Sequence, residues 1–452
     1  MQFDLLRMRE TSFFCAVLFC VASSGAVVAA EWSIEPSVSL REEYNDNIRF
    51  TTLSHPGVWQ SRLTPSVRLS SKTEVSEVSG SAQFSINQYS GDPLVENRND
   101  QFYTLLTRLQ SERNTWAMNA SYKQDSTAES ERIATGVVQV RTQRSLLSLS
   151  PSWTRTLTER VSLKLDYNFQ DVKYDQHINL NDYTSQQAGG TLQYRLSERD
   201  TVSLSANYSI LDYAPALSSY PSLVPGYLYT GGDPTQPVFA GYGTGGTDTV
   251  IRKNNTSGIQ ASATHMFSET LRGDLSVGYR TTVTDTNHSC NGFLGFVSPY
   301  TGTFCTGIVN HGGIIAFTDK SRGNGSSFNA SLEQKLESSK VSGFASRDTN
   351  PSGSGLVETD KFGVSLNRNL TEKLTGSFDA VAYRTKYIGI TYPGSRYYTI
   401  EPKLNWRFTE WWTLDGGYRY ARYEPDSAAS AITSNAVYLN LAYNWPKMAI
   451  SR

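Results

Sequence analysis

The chain reads as an all-β protein, a closed antiparallel transmembrane β-barrel of about eighteen strands, with sixteen as the next possible count. Three observations lead there: runs of strict apolar/polar alternation, a short polar turn that recurs between them, and a composition poor in aliphatic residues yet rich in tyrosine and tryptophan.

Composition comes first. Of 452 residues, 38% are hydrophobic and 12% aromatic, with 26 Tyr and 8 Trp, and the mean hydropathy is -0.40. A soluble core of this size draws on more Leu, Ile and Val. A disordered chain lacks the aromatics. A barrel wall satisfies both facts, because its strands alternate apolar outward with polar inward and collect Tyr and Trp at the membrane interfaces. The formal charge of -1 gives no general attraction to nucleic acid, and none is expected as a partner.

Residues 1–30 read as a secretory signal peptide and residues 31–452 as the barrel. Arg7 and Arg9 open the segment, an apolar run from Phe13 to Ala22 follows, and Val28 and Ala30 supply small residues for a cut before Glu31. The run is short for a membrane anchor, and Cys20 lacks the small residues that precede a lipoprotein cysteine. No later stretch reads as a transmembrane helix, but a closed barrel crosses without one.

Cleavage leaves two cysteines, Cys290 and Cys305, in a segment rich in Gly and Asn. An even pair in an exported protein predicts a disulfide, which stabilises by about 3 kcal/mol for a loop of this length. There is no CxxC and no paired His spacing, so neither a metal nor another cofactor is expected.

The turn theme organises the rest. Leu157–Arg160 (Leu-Thr-Glu-Arg), Leu196–Arg199, Leu336–Ser339 and Leu370–Lys373 are variants of one pattern; Phe267–Thr270 and Phe408–Trp411 carry an aromatic in first place; Gln110–Arg113 and Ser71–Glu74 are looser copies. Each lies between alternating runs, which is the hairpin signature. In Arg160–Asp171, Val161, Leu163, Leu165, Tyr167 and Phe169 share one face, against Ser162, Lys164, Asp166, Asn168 and Gln170. Thr201–Leu211 and Asn114–Lys123 alternate in the same way, and so does the run from Ile400 to Phe408. Eight turns make eight hairpins; one strand before them (Trp32 to Tyr44) and one after (Thr433 to Trp445) bring the count to eighteen. An even count puts both termini and all short turns on the periplasmic side. The longest connections, Ala214–Val250 and Thr286–Lys320, then face outward.

Closure removes the sticky edges of an open sheet. A β-propeller also repeats at about forty residues, but the signal segment, the aromatic load and the chain end favour the barrel. Val437, Leu439, Leu441, Tyr443 and Trp445 alternate toward two aromatics, similar to the terminal signal of outer-membrane barrels, although Pro446–Arg452 extend beyond it. Pro36, Pro65, Pro151 and Pro402 fall inside strands. Since a proline removes a ladder donor, a β-bulge is expected at each.

The most specific words stand in the first strand, Glu35–Ile48, ending in Tyr-Asn-Asp-Asn at 44–47. An early strand of this kind just after a signal peptide resembles the β-barrel porin 2 family, outer-membrane barrels associated with exosortase and exopolysaccharide gene clusters. The Pro-Ser strands and Leu-Thr-Glu turns extend the resemblance over most of the mature chain. It implies an outer-membrane location and a part in exporting or assembling a surface polysaccharide, and it carries no catalytic residues.

Other chemistry is weighed from the residues. The histidines are His55, His177, His265, His288 and His311; none stands at suggestive spacing from a Ser or a carboxylate, and no enzyme is expected. Tyr44–Asn47 offers oxygens for calcium but lacks the EF-hand spacing and closing Glu, so a tight Asn/Asp turn is the preferred reading. Arg68, Arg108, Lys164, Arg195, Lys335 and Arg407 are placed inward near the periplasmic mouth, where a basic ring would attract an anionic or polar chain. Against this stands the reading of solvated residues paired with Asp166, Asp274, Glu333, Glu401 or Asp415. Tyr397, Tyr398, Tyr418, Tyr420 and Tyr423 are assigned to the interface girdles rather than to sugar stacking.

The sequence thus points to an outer-membrane barrel that takes part in exopolysaccharide export or assembly, as conduit or scaffold. The alternative is a general or substrate-selective diffusion porin. Its expected partners are outer-membrane lipid, an anionic or polar polysaccharide and periplasmic export machinery.

Overall fold

The computed structural model describes residues 31–136, 141–175, 180–220, 227–228, 238–239, 246–291, 314–389, 393–427 and 430–451. The signal segment, Cys305, His177 and His311 lie outside them. Among the described residues, eighteen strands form the barrel. The first nine are β1 (Glu31–Asn45), β2 (Val58–Lys72), β3 (Ser76–Ser90), β4 (Arg98–Gln110), β5 (Asn114–Ser126), β6 (Gln143–Thr156), β7 (Val161–Tyr174), β8 (Tyr183–Arg195) and β9 (Asp200–Tyr213). The second nine are β10 (Gly246–Met266), β11 (Leu271–Asn291), β12 (Ile314–Lys335), β13 (Ser339–Ser352), β14 (Gly355–Asn369), β15 (Leu374–Tyr387), β16 (Ser395–Trp406), β17 (Trp412–Pro425) and β18 (Ile432–Asn444). Each strand pairs antiparallel with the next, and β18 returns to β1 from Asn45↔Ala436 to Ser37↔Asn444. Closure gives every strand a neighbour on both sides, as lipid demands.

The eight short turns all fall at the end that holds both termini. Their recurring second residue has a mechanical cause. The hydroxyls of Thr73, Thr158, Ser197, Ser268, Thr371 and Thr409 each accept backbone N–H groups two and three residues on. Such local acceptors hold a tight reversal without help from the lumen or the lipid.

Register decides the faces. Outward positions carry Leu40, Leu63, Leu165, Leu192, Leu204, Ile259, Leu275, Leu404 and Leu439, all exposed, with Leu163 on the same face of β7. Rings cluster near the strand ends on that face: Tyr44 against Trp59 (5.2 Å), Trp116 against Trp153 (5.7 Å), and Trp412, Tyr443 and Trp445 in sequence (4.8 and 4.7 Å). A closed barrel with such a belt is an outer-membrane barrel. No helix among the described residues is long and apolar enough to cross a membrane.

Three expectations are corrected. The register is the same on both sides of Pro65, Pro151 and Pro402, so these prolines create no bulge; two ladder pairs are missing on one flank of each, while the other flank is continuous. The missing N–H faces a single neighbour, so only that ladder lapses. Opposite Pro36 the register does shift, from Ser37↔Asn444 to Ile34↔Met448, and Trp445–Lys447 carry the extra residue. The tail beyond the last aromatic therefore continues the wall, Met448–Ser451 pairing with Glu31–Ile34.

Second, the longest connections are partly strand. β10, β11 and β12 run for 21, 21 and 22 residues, and Ala216–Tyr220 pairs with Gly246–Val250. These extensions mix polar and apolar residues on both faces, as in Ile314–Phe317 followed by Thr318–Asn324, so no alternation marks them. Third, Tyr397 and Tyr423 share the luminal register opposite each other, and Tyr397 is buried among Phe50, Tyr383 and Ala421. They leave the girdle, whereas Tyr398, Tyr418 and Tyr420 face outward.

Candidate functional site: a lumen crossed by a helix and a hairpin

The sequence-predicted basic residues Arg68, Arg108, Lys164, Arg195 and Lys335 share the luminal register near the short-turn end, and Arg407 follows Asn405 on that register. They do not form one continuous ring. Lys164 lies 4.0 Å from Asp166, Lys335 lies 3.5 Å from Glu333, and Arg407 donates to the Glu372 carbonyl at 3.3 Å. Arg68, Arg108 and Arg195 have no carboxylate within 4.0 Å among the described residues. The inward acids are mostly occupied: Asp274 holds Arg272 (2.8 Å), and Glu401 meets Lys403 (3.7 Å) and Arg419 (3.6 Å).

Toward the other end two elements lie inside the barrel, and the alternation pattern did not reveal them. After β5 the chain forms a helix, α1 (Thr127–Thr135), inside the barrel. Ser126 caps it, accepting from Ala128 N at 3.2 Å, and Gly136 closes it in a left-handed conformation (φ 73°), donating to Arg132 O at 2.7 Å. A Cβ on Gly136 would sit 2.5 Å from Tyr383 Cβ, so only glycine allows the helix to meet that wall. Ser126 and Glu129 stand at capping-box spacing and Gly136 at the C-terminal cap, the signals that mark this helix in the sequence.

The helix spans the pore. β5 and β14 are nine strands apart in a ring of eighteen. From β5, α1 reaches Thr359 of β14, which donates to Thr135 O (3.4 Å), and Tyr383 of β15, which donates to Ile133 O (2.9 Å). Arg132 lies over the rings of Phe50 (4.9 Å) and Tyr397 (5.7 Å). At about 1.5 Å per residue the helix covers only ~13 Å; the inward side chains of the opposite wall complete the span.

Glu129 anchors its near end. One oxygen, Oε1, meets Arg62 at 2.8 Å and Arg98 at 3.2 Å, and Arg141 stands beside them. Burial alone would raise this carboxyl, but the guanidiniums of Arg62, Arg98 and Arg141 outweigh it and hold the group down at about 2. The side chain keeps 36% of its surface open, so lumen water touches it. Arg98 and Arg141 both face the ring of Tyr89, at 5.7 and 4.5 Å.

A second element enters from the far wall. β12 and β13 pair only from Phe328↔Arg347 to Lys335↔Lys340. Above that point β13 parts from β12 and the β13–β14 hairpin turns inward, with β14 still paired to β15 as far as Val357↔Tyr387; Glu358 bonds with the luminal Arg280 of β11. Its tip meets α1 and the tops of β7, β8 and β9. Gly353 N donates to Glu131 Oε1 (3.1 Å), Tyr174 Oη to Glu131 Oε2 (3.2 Å), Tyr213 Oη to Ser352 O (3.0 Å), and Asn181 N to Gly353 O (2.8 Å). Leu356 adds an apolar contact to Val172, Tyr174, Leu180, Tyr183, Leu211 and Tyr213.

The Tyr44–Asn47 block turns tightly at the top of β1: Asn47 N donates to Asn45 Oδ1 at 2.8 Å, and both Asp46 oxygens are bound by Asn435. Of the histidines, His55 lies exposed in the β1–β2 connection, His265 pairs with Asp200 at 2.6 Å near the short turns, and His288 is buried against Asp248 at 2.9 Å. Cys290 is the penultimate residue of β11; its expected partner, Cys305, is outside the described residues.

No protein-family model matches the chain, and no curated protein matches it either. Solved structures with a similar course include OccAB2 of Acinetobacter baumannii, 10% identical, covering 92% of this chain and 98% of that one at a TM-score of 0.43. OccK3 (OpdO) of Pseudomonas aeruginosa is 12% identical, with coverages of 92% and 96% and a TM-score of 0.40. The ferric yersiniabactin uptake receptor FyuA of Yersinia pestis is 9% identical, with coverages of 91% and 80% and a TM-score of 0.39.

Proposed function

We propose that this outer-membrane barrel is a substrate-selective diffusion channel for polar solutes. One observation carries the reading: α1 crosses a hydrophilic lumen and is moored by Glu129 to the luminal arginines Arg62 and Arg98. An eighteen-stranded barrel left empty is wide enough for an aqueous channel. Filling it with a charged helix and a hairpin narrows the path and lines it with fixed charge, the two properties that set pore selectivity. Purified protein in planar bilayers should give discrete unit conductances, and proteoliposomes should admit small sugars much faster than large ones. A folded barrel without channel steps would defeat the reading.

A second reading keeps a part in exporting or assembling a surface exopolysaccharide. It is supported by the resemblance carried by Tyr44–Asn47 and by the Pro-Ser strands. With α1 and the β13–β14 hairpin across the lumen, it favours a scaffold for periplasmic machinery over an open conduit. Deleting the gene and assaying secreted polymer tests it; unchanged polymer would sink it.

A further inference from the structure

We propose that Arg62, Arg98 and Arg141 form a binding site for a carboxylate-bearing polar solute such as a sugar acid, and that Glu129 is the resident carboxylate which this solute displaces. The inference rests on the channel reading above and adds its substrate class.

The arrangement is that of a carboxylate receptor with its ligand supplied in cis. Arg62 and Arg98 converge on one oxygen of Glu129, at 2.8 and 3.2 Å. Their orientation is fixed from behind: Arg62 Nε donates to Asn87 Oδ1 (2.6 Å), and Arg98 Nε to Asp100 Oδ1 (2.9 Å). Such pre-set guanidinium forks match carboxylate geometry and lose little freedom on binding one. Arg141 is held against the ring of Tyr89, and among the described residues its buried Nη1 has no hydrogen-bond partner. A buried donor left unsatisfied is costly, and a ligand oxygen would satisfy it. Charge points the same way. Three guanidiniums face the carboxylates of Glu129 and Asp100, leaving one positive charge in excess.

Displacement follows from the position of Glu129. It is partly open to the lumen, and it ties only the near end of a nine-residue helix. An incoming carboxylate that engages Arg141 and competes with Glu129 for Arg62 and Arg98 weakens the mooring of α1. The solute that fits the filter thereby loosens the element that narrows it.

The test is single-channel recording in planar bilayers with sodium glucuronate as probe and glucose as the neutral match. Wild-type channels should show a saturable change in conductance with glucuronate and none with glucose. In Glu129→Gln the resident competitor is gone, and the half-saturating concentration should fall about tenfold, the factor that one charge-assisted hydrogen bond supplies. In Arg141→Gln, altered in a connection outside the strands, it should rise by about the same factor. Heat-modifiable migration on gels confirms that each variant is a folded barrel. Glucuronate acting no differently from glucose, or an unmoved half-saturation in Glu129→Gln, would overturn the proposal while leaving the channel reading intact. Absence of channel steps from folded wild-type protein would remove both.

Discussion

Asp46 grips Asn435 from both ends of its carboxylate. Oδ1 accepts from the backbone N of Asn435 and Oδ2 from its Nδ2, each at 2.7 Å, while Asp46 N donates to Asn435 O at 3.0 Å. Asn47 Nδ2 reaches Thr433 O at 3.0 Å, and Ser434 Oγ donates to Asn45 Oδ1 at 2.9 Å. These bonds sit where the β1–β18 ladder ends at Asn45↔Ala436. The most distinctive words of the sequence thus fasten the first strand to the last.

Asp46→Ala should therefore lower barrel stability by about 2–3 kcal/mol, the range for losing charge-assisted hydrogen bonds at a part-buried site. Asn435→Ala should cost less, and the double variant should cost less than the two together, with a coupling of about 1 kcal/mol or more. Urea titration of protein folded into lipid vesicles gives the three values. Strict additivity would show that the clasp does not act as a pair.

Leu204 and Ser203 test the two faces of one strand. Leu204 stands on the lipid face between Leu192 and Ala261, whereas Ser203 faces the lumen between Gln193 and Ser262. Leu204→Arg should destabilise by about 2–4 kcal/mol near the bilayer midplane, and Ser203→Arg by no more than about 0.5 kcal/mol. The same vesicle titration reads both, and equal penalties would contradict the assignment of faces.

Pro151 isolates the effect of a missing donor. Its ladder to β5 is continuous while the pairing to β7 lapses at Ser150 and Pro151. Restoring the N–H with Pro151→Val should add about 1 kcal/mol of stability. A destabilised variant would mean that the gap relieves strain at that point.

The wall was legible because lipid and water impose period two on every strand they bound, and because a Ser or Thr hydroxyl closes six of the eight short turns. Leu163 and Lys164 could be assigned to opposite faces without coordinates for that reason. The lumen obeys no such rule. α1 carries only Ser126, Glu129 and Gly136 as markers, in a segment too short for a helical period to stand out. In the β13–β14 hairpin the alternation is weak, with Arg347, Glu358 and Asp360 on the register that is outward lower down, but nothing local says that Gly353 turns into the lumen. The contacts that bend it inward, to Glu131, Tyr174 and Tyr213, come from distant parts of the chain. Tyr397 and Tyr398 fail for a related reason: adjacent tyrosines must take opposite faces, and composition cannot say which one turns inward.

Acid should change the pore only late. The Glu129 carboxyl is held at about 2, against an ordinary value of 4.5. A group depressed on folding contributes stability that is fully present above its ordinary value and fades as pH falls through the folded one. The difference in reversal potential between wild type and Glu129→Gln, measured in a salt gradient, isolates this group from the other luminal carboxylates; it should persist from pH 8 to about 4.5 and vanish only on approach to about 2. A difference that vanishes near 4.5 would show that the arginines do not clamp this group.

Gly353 is the position at which the hairpin can be dislodged without touching the barrel ladders. A Cβ there would meet the Tyr174 ring at 2.8 Å, and the residue's N–H is the donor to Glu131. Gly353→Leu forces a bulky side chain into that contact, which overpacking opposes by about 1–3 kcal/mol. The tip has an escape that a core residue lacks, because β13 is already free of β12 above Arg347 and β14 is paired with β15 only as far as Val357. The tip should lift away from α1, and the unit conductance in planar bilayers should rise. Tyr213→Phe, which removes only the bond to Ser352 O, loosens the same contact by about 1 kcal/mol and should produce brief visits to the larger conductance. If Gly353→Leu conducts like the wild type, the hairpin does not narrow the path.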